Sequence, residues 1–427
     1  MKIPFQKTAR KRAVVLVASA LFVLYLAEAG REVVASWLAG RVKLSSLQFA
    51  SRLDPGNADY RNHVGRYYDL VARDPATAVG YYQAAVQLNP HSARYWFDLA
   101  SAYQVLGDAQ NQTRALEQAI QADSMTPDVA WEAANLYLVQ GETEKALREF
   151  SVVMANDPSL AASAIQFCWR INPDVDSLLR DVVPPSAVAY VAFLSLLESK
   201  QETAGMFKVW NALIDTGEPF EVRHVYEYLQ YLIQHKEVDQ AVLAWQQAAP
   251  RFALSAYLPS SANLIVNSAF SLDVLNGSFD WQYQKQAGVS LTLDPSDFHA
   301  GRRSLLISFD GPGITDAGIY QLVAVRPNTS YEFSGYYKNG ELEGAGGPHL
   351  TIQDMYTQAV YYESDELNDA GFWKSVDGEF TTGADCKLVV LHVRRLPAGS
   401  PIRGKLWISD FHLSQKAATA RSSEPAH

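Results

Sequence analysis

The loop Gly399-Ser400-Pro401-Ile402-Arg403-Gly404-Lys405 has the spacing of a phosphate-binding loop. Leu406 stands where a Ser or Thr would hold magnesium, and Pro401 removes one backbone amide. A strand-like run, KLWISDFHL, follows where a helix N-terminus is needed. The segment therefore reads as a hairpin loop. His63, His91, His224, His235, His299, His349, His392 and His412 show no close metal-ligand spacing, so no metal site is assigned. Cys168 and Cys386 have no histidine motif beside them and read as buried structural thiols in different domains. Glu363, Asp365, Glu366 and Asp369 form an acidic run in an expected loop. A carboxylate pair could serve glycoside hydrolysis, but nothing in the spacing fixes a separation, and a solvated loop is the reading. His-Glu-x-x-His pairs, Gly-x-Ser-x-Gly elbows and helix–loop–helix calcium loops are absent. No catalytic residue is assigned, and the chain reads as a binder rather than an enzyme.

The elements that would position a binding site come in two textures. Trp96, Ala100, Tyr103, Gly107, Leu116, Ala119 and Asp123 are followed 34 residues later by Ala130, Ala134, Tyr137, Gly141, Phe150, Val153 and Asp157. Small residues let helices approach closely, and glycines fit the turns between them. Half a repeat precedes these, and the offset from Pro55 to Pro90 is one residue too long, which places an insertion near Arg73–Ala76. Beyond Pro173 the period degrades, and Pro184-Pro185 sets a loop or kink between helical blocks. The pattern resembles the tetratricopeptide repeat, which implies an α-solenoid over 31–258 that holds protein partners. In that family the first helix of each repeat lines the groove. The resemblance therefore implies a partner-binding set of Arg94, Phe97, Ser101 and Gln104, then Asp128, Trp131, Asn135 and Leu138.

The chain has 427 residues, enough for two or three domains, with 48% hydrophobic and 19% charged residues. Its net charge of −10 argues against nucleic-acid binding. Lys2, Lys7, Arg10, Lys11 and Arg12 precede an uncharged run from Ala13 to Ala27. Basic residues hold that end in the cytoplasm and send the rest outward. Residues 1–30 thus read as a basic stub and a single-pass signal-anchor helix. The alternative is a signal peptide cleaved at Ala27-Glu28-Ala29, giving a secreted protein.

Near Pro259 helical periodicity stops. Runs such as SLLISF (304–309), SYEFSGYY (330–337) and KLVVLHV (387–393) alternate with period two, the mark of an antiparallel sandwich over 259–415. Residues 416–427 read as a disordered tail. Phe270, Trp281, Gly301, Ser304-Leu305, Gln321-Leu322-Val323, Tyr331, Phe333, Trp373, Phe380-Thr381 and Trp407-Ile408 follow in an order that resembles jelly-roll carbohydrate-binding modules. The fold class is therefore multidomain α plus β: membrane helix, α-solenoid, then jelly-roll β-sandwich. The family often places a calcium-holding glutamate after the first phenylalanine. Ser271 stands there, so no cofactor is assigned, and a structural calcium beside Asp410 is left open.

Flat rings stack on sugars, and amides or charges bond their hydroxyls, so such groups must face outward. If Phe333 points inward, Tyr336 and Lys338 point outward. By the same alternation Gln353, His392 and Arg394 point outward. Trp281, Tyr361 and Trp373 complete the glycan-binding set, while Phe270 and Trp407 are expected in the core. These readings combine into a non-enzymatic periplasmic adaptor between protein partners and a polysaccharide. The alternatives are a pure protein scaffold whose sandwich binds no sugar, or a glycan-active enzyme.

Overall fold

The computed structural model describes residues 8–41, 43–311, 313–368 and 370–416. Most of the basic stub, Asp369 and the tail beyond Lys416 lie outside the described residues. The chain divides into two compact units, Met1–Lys200 and Gln201–His427.

The first unit is helical. A 32-residue helix, α1 (Thr8–Ala39), leads into α2 (Leu44–Leu53), α3 (Ala58–Arg66), α4 (Pro75–Leu88), α5 (Ala93–Leu106) and α6 (Ala109–Ala122). Then come α7 (Pro127–Gln140), α8 (Thr143–Asn156), α9 (Ala161–Ile171), α10 (Val175–Asp181) and α11 (Ala187–Lys200). Gly107 and Gly141 end α5 and α7 at φ 73° and 80°, the left-handed cap that closes a helix into a tight turn. Asp108 restarts the chain by accepting the Asn111 amide. Ala100 and Ala134 are fully buried where helices touch. At Gly65, the matching position one repeat earlier, a Cβ would lie 2.7 Å from the Tyr82 ring. The extra residue of that repeat is taken up as a π turn over Tyr67–Val71, slightly before the stretch expected from the sequence, with Arg73 at φ 58°.

The second unit opens with α12 (Thr203–Thr216), α13 (Val222–Gln234) and α14 (Val238–Ala248). Ten strands follow: β1 (Trp281–Tyr283), β2 (Val289–Asp294), β3 (Ser304–Asp310), β4 (Asp316–Ala324), β5 (Ser330–Gly344), β6 (Pro348–Asp354), β7 (Val360–Glu363), β8 (Lys374–Thr381), β9 (Leu388–Arg395) and β10 (Ile402–Gln415). They form two antiparallel sheets, ordered β1-β4-β9-β6-β7 and β2-β3-β10-β5-β8. Between them lies one core that includes Phe270, Ile307, Phe333, Leu391, Leu406 and Phe411. The preceding helices are fastened to this sandwich. The Tyr356 hydroxyl donates to the Ile233 carbonyl at 2.8 Å, and Lys387 pairs with Asp239 at 2.5 Å. Compactness thus divides the chain after Lys200, well before the change of texture at Pro259.

Asp280 sits fully buried just before β1, its carboxylate accepting the Leu275 amide at 2.8 Å. Burial pushes its pKa up to about 6. A raised acid favours the folded state only while protonated. Its contribution is therefore complete below the unfolded value near 3.8 and is lost as pH rises through about 6. Thermal unfolding across pH 4 to 6.5 should show the second unit losing on the order of 3 kcal/mol from this group. An Asp280→Asn chain should lack that component of the slope. An unchanged slope in the variant would show that Asp280 does not titrate in that range.

Candidate functional site

The outward face of the β1-β4-β9-β6-β7 sheet is built by strict alternation. Val389, Leu391 and Val393 of β9 enter the core, which turns Val390, His392 and Arg394 outward. Leu350 and Ile352 of β6 do the same for His349, Thr351 and Gln353. Register then places Tyr320, His392 and Thr351 side by side across three strands. Asp316, Arg394 and His349 form the next row.

The polar groups here are buried and only partly paired. His392 Nδ1 lies 2.7 Å from Asp316 Oδ2, so Nδ1 donates to the carboxylate. His392 is 8% exposed and Thr351 0%, and neither His392 Nε2 nor Thr351 Oγ1 has a hydrogen-bond partner. The Tyr320 hydroxyl donates to Gln282 Oε1 at 3.1 Å. Arg394 Nη1 reaches Gln353 Oε1 at 3.4 Å, a long contact that leaves donors of the guanidinium free.

The opposite sheet holds the other outward candidates. Tyr336, Lys338 and Trp373 come together, but beneath the segment that links β2 to β3. His299 stacks on Tyr336 at 3.6 Å, Lys338 pairs with Asp297 at 2.5 Å, and Trp373 Nε1 donates to Asp297 Oδ1 at 3.1 Å. These side chains hold a loop down. Trp407 also lies on this face, its Nε1 donating to Asp294, because Leu406 and Ile408 take the inward positions; the core expectation for Trp407 is corrected. Trp281 is 1% exposed and packs on Phe270 and Phe411, so it is core and unavailable to a sugar. Tyr361 is half-buried at the sheet edge, packed on Phe380, its hydroxyl accepting the Gly383 amide at 3.0 Å. The sequence set of eight thus splits: Gln353, His392 and Arg394 share one face, Tyr336, Lys338 and Trp373 the other.

Asp410 is engaged by His299 Nδ1 at 3.2 Å, and no group of three or more potential metal ligands occurs among the described residues. The Gly399–Lys405 loop turns carbonyls inward. The buried Arg395 guanidinium donates to the carbonyls of Ser400 and Pro401, as well as to Ala345 and Gly346, an arrangement opposite to a phosphate cradle. Both cysteines are free and buried, and burial pushes Cys168 up to about 12 and Cys386 to about 11.

In the first unit, Phe97 is 2% exposed and packs with Leu116, Ala133 and Tyr137. It is inter-repeat core, which corrects its assignment to the groove. Trp131 meets Phe150 and Phe167 edge-on at 5.4 and 5.5 Å, and Leu138 packs on the same helix pairs. Arg94 and Asp128 are exposed, while Ser101, Gln104 and Asn135 are half-buried. The sequence reading missed the next residue along in each repeat. Asp98 and Glu132, again 34 apart, sit in a polar cluster with Asn62, His63, Arg66 and Arg94. Asn62 Nδ2 donates to Asp98 Oδ2 at 2.8 Å, leaving Asn62 Oδ1 and His63 Nδ1 without partners. Burial raises the pKa of both carboxyls; the Asn62 bond and two arginines oppose the rise at Asp98, while the Asp98 charge adds to it at Glu132. Two acids 34 apart were the available signal.

A family model described as a carbohydrate binding domain matches residues 262–397, and one for the tetratricopeptide repeat matches residues 67–112. The C-terminal sandwich is thus similar to carbohydrate-binding domains and part of the helical region to the tetratricopeptide repeat. Among solved structures, a CBM4 structure is 16% identical and covers 36% of this chain and 99% of its own, with a TM-score of 0.28. The CBM22-1 xylan-binding domain of Paenibacillus barcinonensis Xyn10C is 19% identical over 35% of this chain and 94% of its own, at 0.24. MamA is 19% identical over 40% and 85%, also at 0.24. No curated protein sequence matches.

The unpartnered hydroxyl makes a stability prediction. Thr351→Val keeps the shape and removes a buried group without a bond, so thermal unfolding should occur at the same temperature or a slightly higher one, a gain of up to about 1 kcal/mol. A clear loss of stability would mean that the Thr351 hydroxyl is bonded in the folded protein.

Proposed function

We propose that this chain is a non-enzymatic extracytoplasmic adaptor that works in the assembly or export of a cell-surface polysaccharide. Residues 1–30 form the stub and anchor, 31–258 capture a protein partner, and 259–415 hold the glycan. The glycan lies on the outward face of the β1-β4-β9-β6-β7 sheet. The observation that carries this reading is the polar row on that face, where the half-buried Tyr320 ring and the half-free guanidinium of Arg394 flank His392. Sugar hydroxyls would bond the guanidinium, and the Tyr320 ring offers a flat apolar surface. The carbohydrate-binding match over 262–397 supports the same assignment.

The charged cluster of Arg66, Arg94, Asp98 and Glu132 is the proposed partner-binding surface of the solenoid, together with exposed Asp128. An apolar α1 long enough to cross a membrane supports the anchor reading. Basic residues ahead of it support placing the bulk of the chain outside the cytoplasm.

The test is binding of the detergent-solubilised full chain to a panel of bacterial and plant polysaccharides. Arg394→Ala should weaken binding at least about tenfold, the loss of one or two charge-assisted hydrogen bonds. Tyr336→Ala should leave it near wild type. Absence of binding across the panel, or loss with Tyr336→Ala alone, would defeat the assignment.

A further inference from the structure

The end of α1 is unusual for a helix that joins a soluble domain. One side of it is well packed: Ala35 is fully buried with Ala50 of α2 and Tyr60 of α3. The rest of the same two turns exposes Val33, Val34 and Trp37. Phe49 is also exposed, next to the Ala50 that packs on Ala35. The π turn adds Leu70 and Val71, with Leu70 61% exposed. A cavity of about 350 Å³ is lined by Ala39, Leu47, Tyr67, Leu70 and Val71, with His63 and Arg66 in its wall. Exposed large apolar side chains at the end of α1, on α2 and on the π turn are of the kind that marks a surface made to meet another apolar phase.

The helix itself says which phase. The uncharged run from Ala13 to Ala27, about 22 Å at 1.5 Å per residue, covers most of a hydrocarbon core of roughly 30 Å. Glu28 and Arg31 pair at 2.8 Å where the helix would leave that core. Trp37 then falls about five residues further, within the headgroup layer, and Arg41 lies over its ring at 3.6 Å. A tryptophan with an arginine at this depth is what the membrane–water boundary favours. Ala39 shares the cavity with Leu70 and Val71, so the π turn stands at nearly the same level.

We propose that the first layer of the solenoid, formed by the end of α1, α2 and the π turn, rests on the lipid headgroup layer of the membrane that α1 crosses. Phe49, Leu70 and Val71 enter that layer beside Trp37. The solenoid is thus held at a fixed height and tilt rather than swinging from a flexible stalk. The inference depends on reading α1 as an anchor.

The experiment reconstitutes the full chain in phosphatidylcholine–phosphatidylglycerol vesicles, with Leu70→Cys carrying an environment-sensitive fluorophore. Cys168 and Cys386 are buried and stay unlabelled in the folded protein. Val139→Cys, exposed on α7, is the control. Flotation after carbonate extraction reads the anchor. The label at position 70 should shift to the blue and lose about half its emission to lipids brominated near the headgroup, while the label at 139 should do neither. A chain that floats with the position-70 label in water overturns the proposal and leaves the anchor standing. A shifted label that brominated lipid does not quench would mean that another copy of the chain covers the patch, which also overturns it. A chain that fails to float removes both.

Discussion

The sandwich depends on the two-residue alternation of β9, the central strand of its sheet. Its odd-numbered residues from Val389 to Val393 fill the core, and its even-numbered ones from Val390 to Arg394 face away from it. A shift of one residue would put His392 and Arg394 into an apolar core without partners, at a cost of several kcal/mol for each. Register is therefore fixed by the core, and the core in turn fixes the polar face. His392 meets Tyr320 on one side and Thr351 on the other because β4 and β6 obey the same rule. Fold and candidate site are two sides of one strand.

That dependence explains what the sequence could reveal. Period two in KLVVLHV and HLTIQDMY was enough to place His392, Arg394 and Gln353 outward. It could not say that Tyr336 and Lys338, outward by the same logic, belong to the other sheet, since alternation along a strand carries no information about which sheet that strand joins. Strand order is a long-range property, and β5 joins β10 and β8 rather than β6. Nor could the pattern show that the loop bearing Asp297 and His299 lies over those side chains. Trp281 and Trp407 were misassigned in opposite senses for a related reason. An aromatic ring is at home in the core or on a face, and only its neighbours' positions decide.

The solenoid was more legible because its contacts are local. Gly107, Gly141 and the buried alanines fall where a 34-residue period requires them. Finer detail failed by a single residue. Phe97 turned toward the next repeat and Asp98 toward the polar cluster, a rotation of about 100° per residue on a helix. The extra residue before Pro90 became a π turn, and with it came the exposed Leu70 and Val71. A counting irregularity in the sequence thus marks a place where the helical stack shows an apolar edge beside α1.

The central claim is that the glycan face is the outward side of the β1-β4-β9-β6-β7 sheet. Histidines report on it from both sides: His349 and His392 lie on that face, while His299 and His412 belong to the opposite side. Imidazole nitrogen resonances of the full chain, followed during titration with a polysaccharide fragment that binds, would read the location directly. Movement of His392 Nε2 and of His349, with His299 and His412 unmoved, is the predicted result. Movement of His299 or His412 with His392 still would contradict the account and place the sugar on the other sheet.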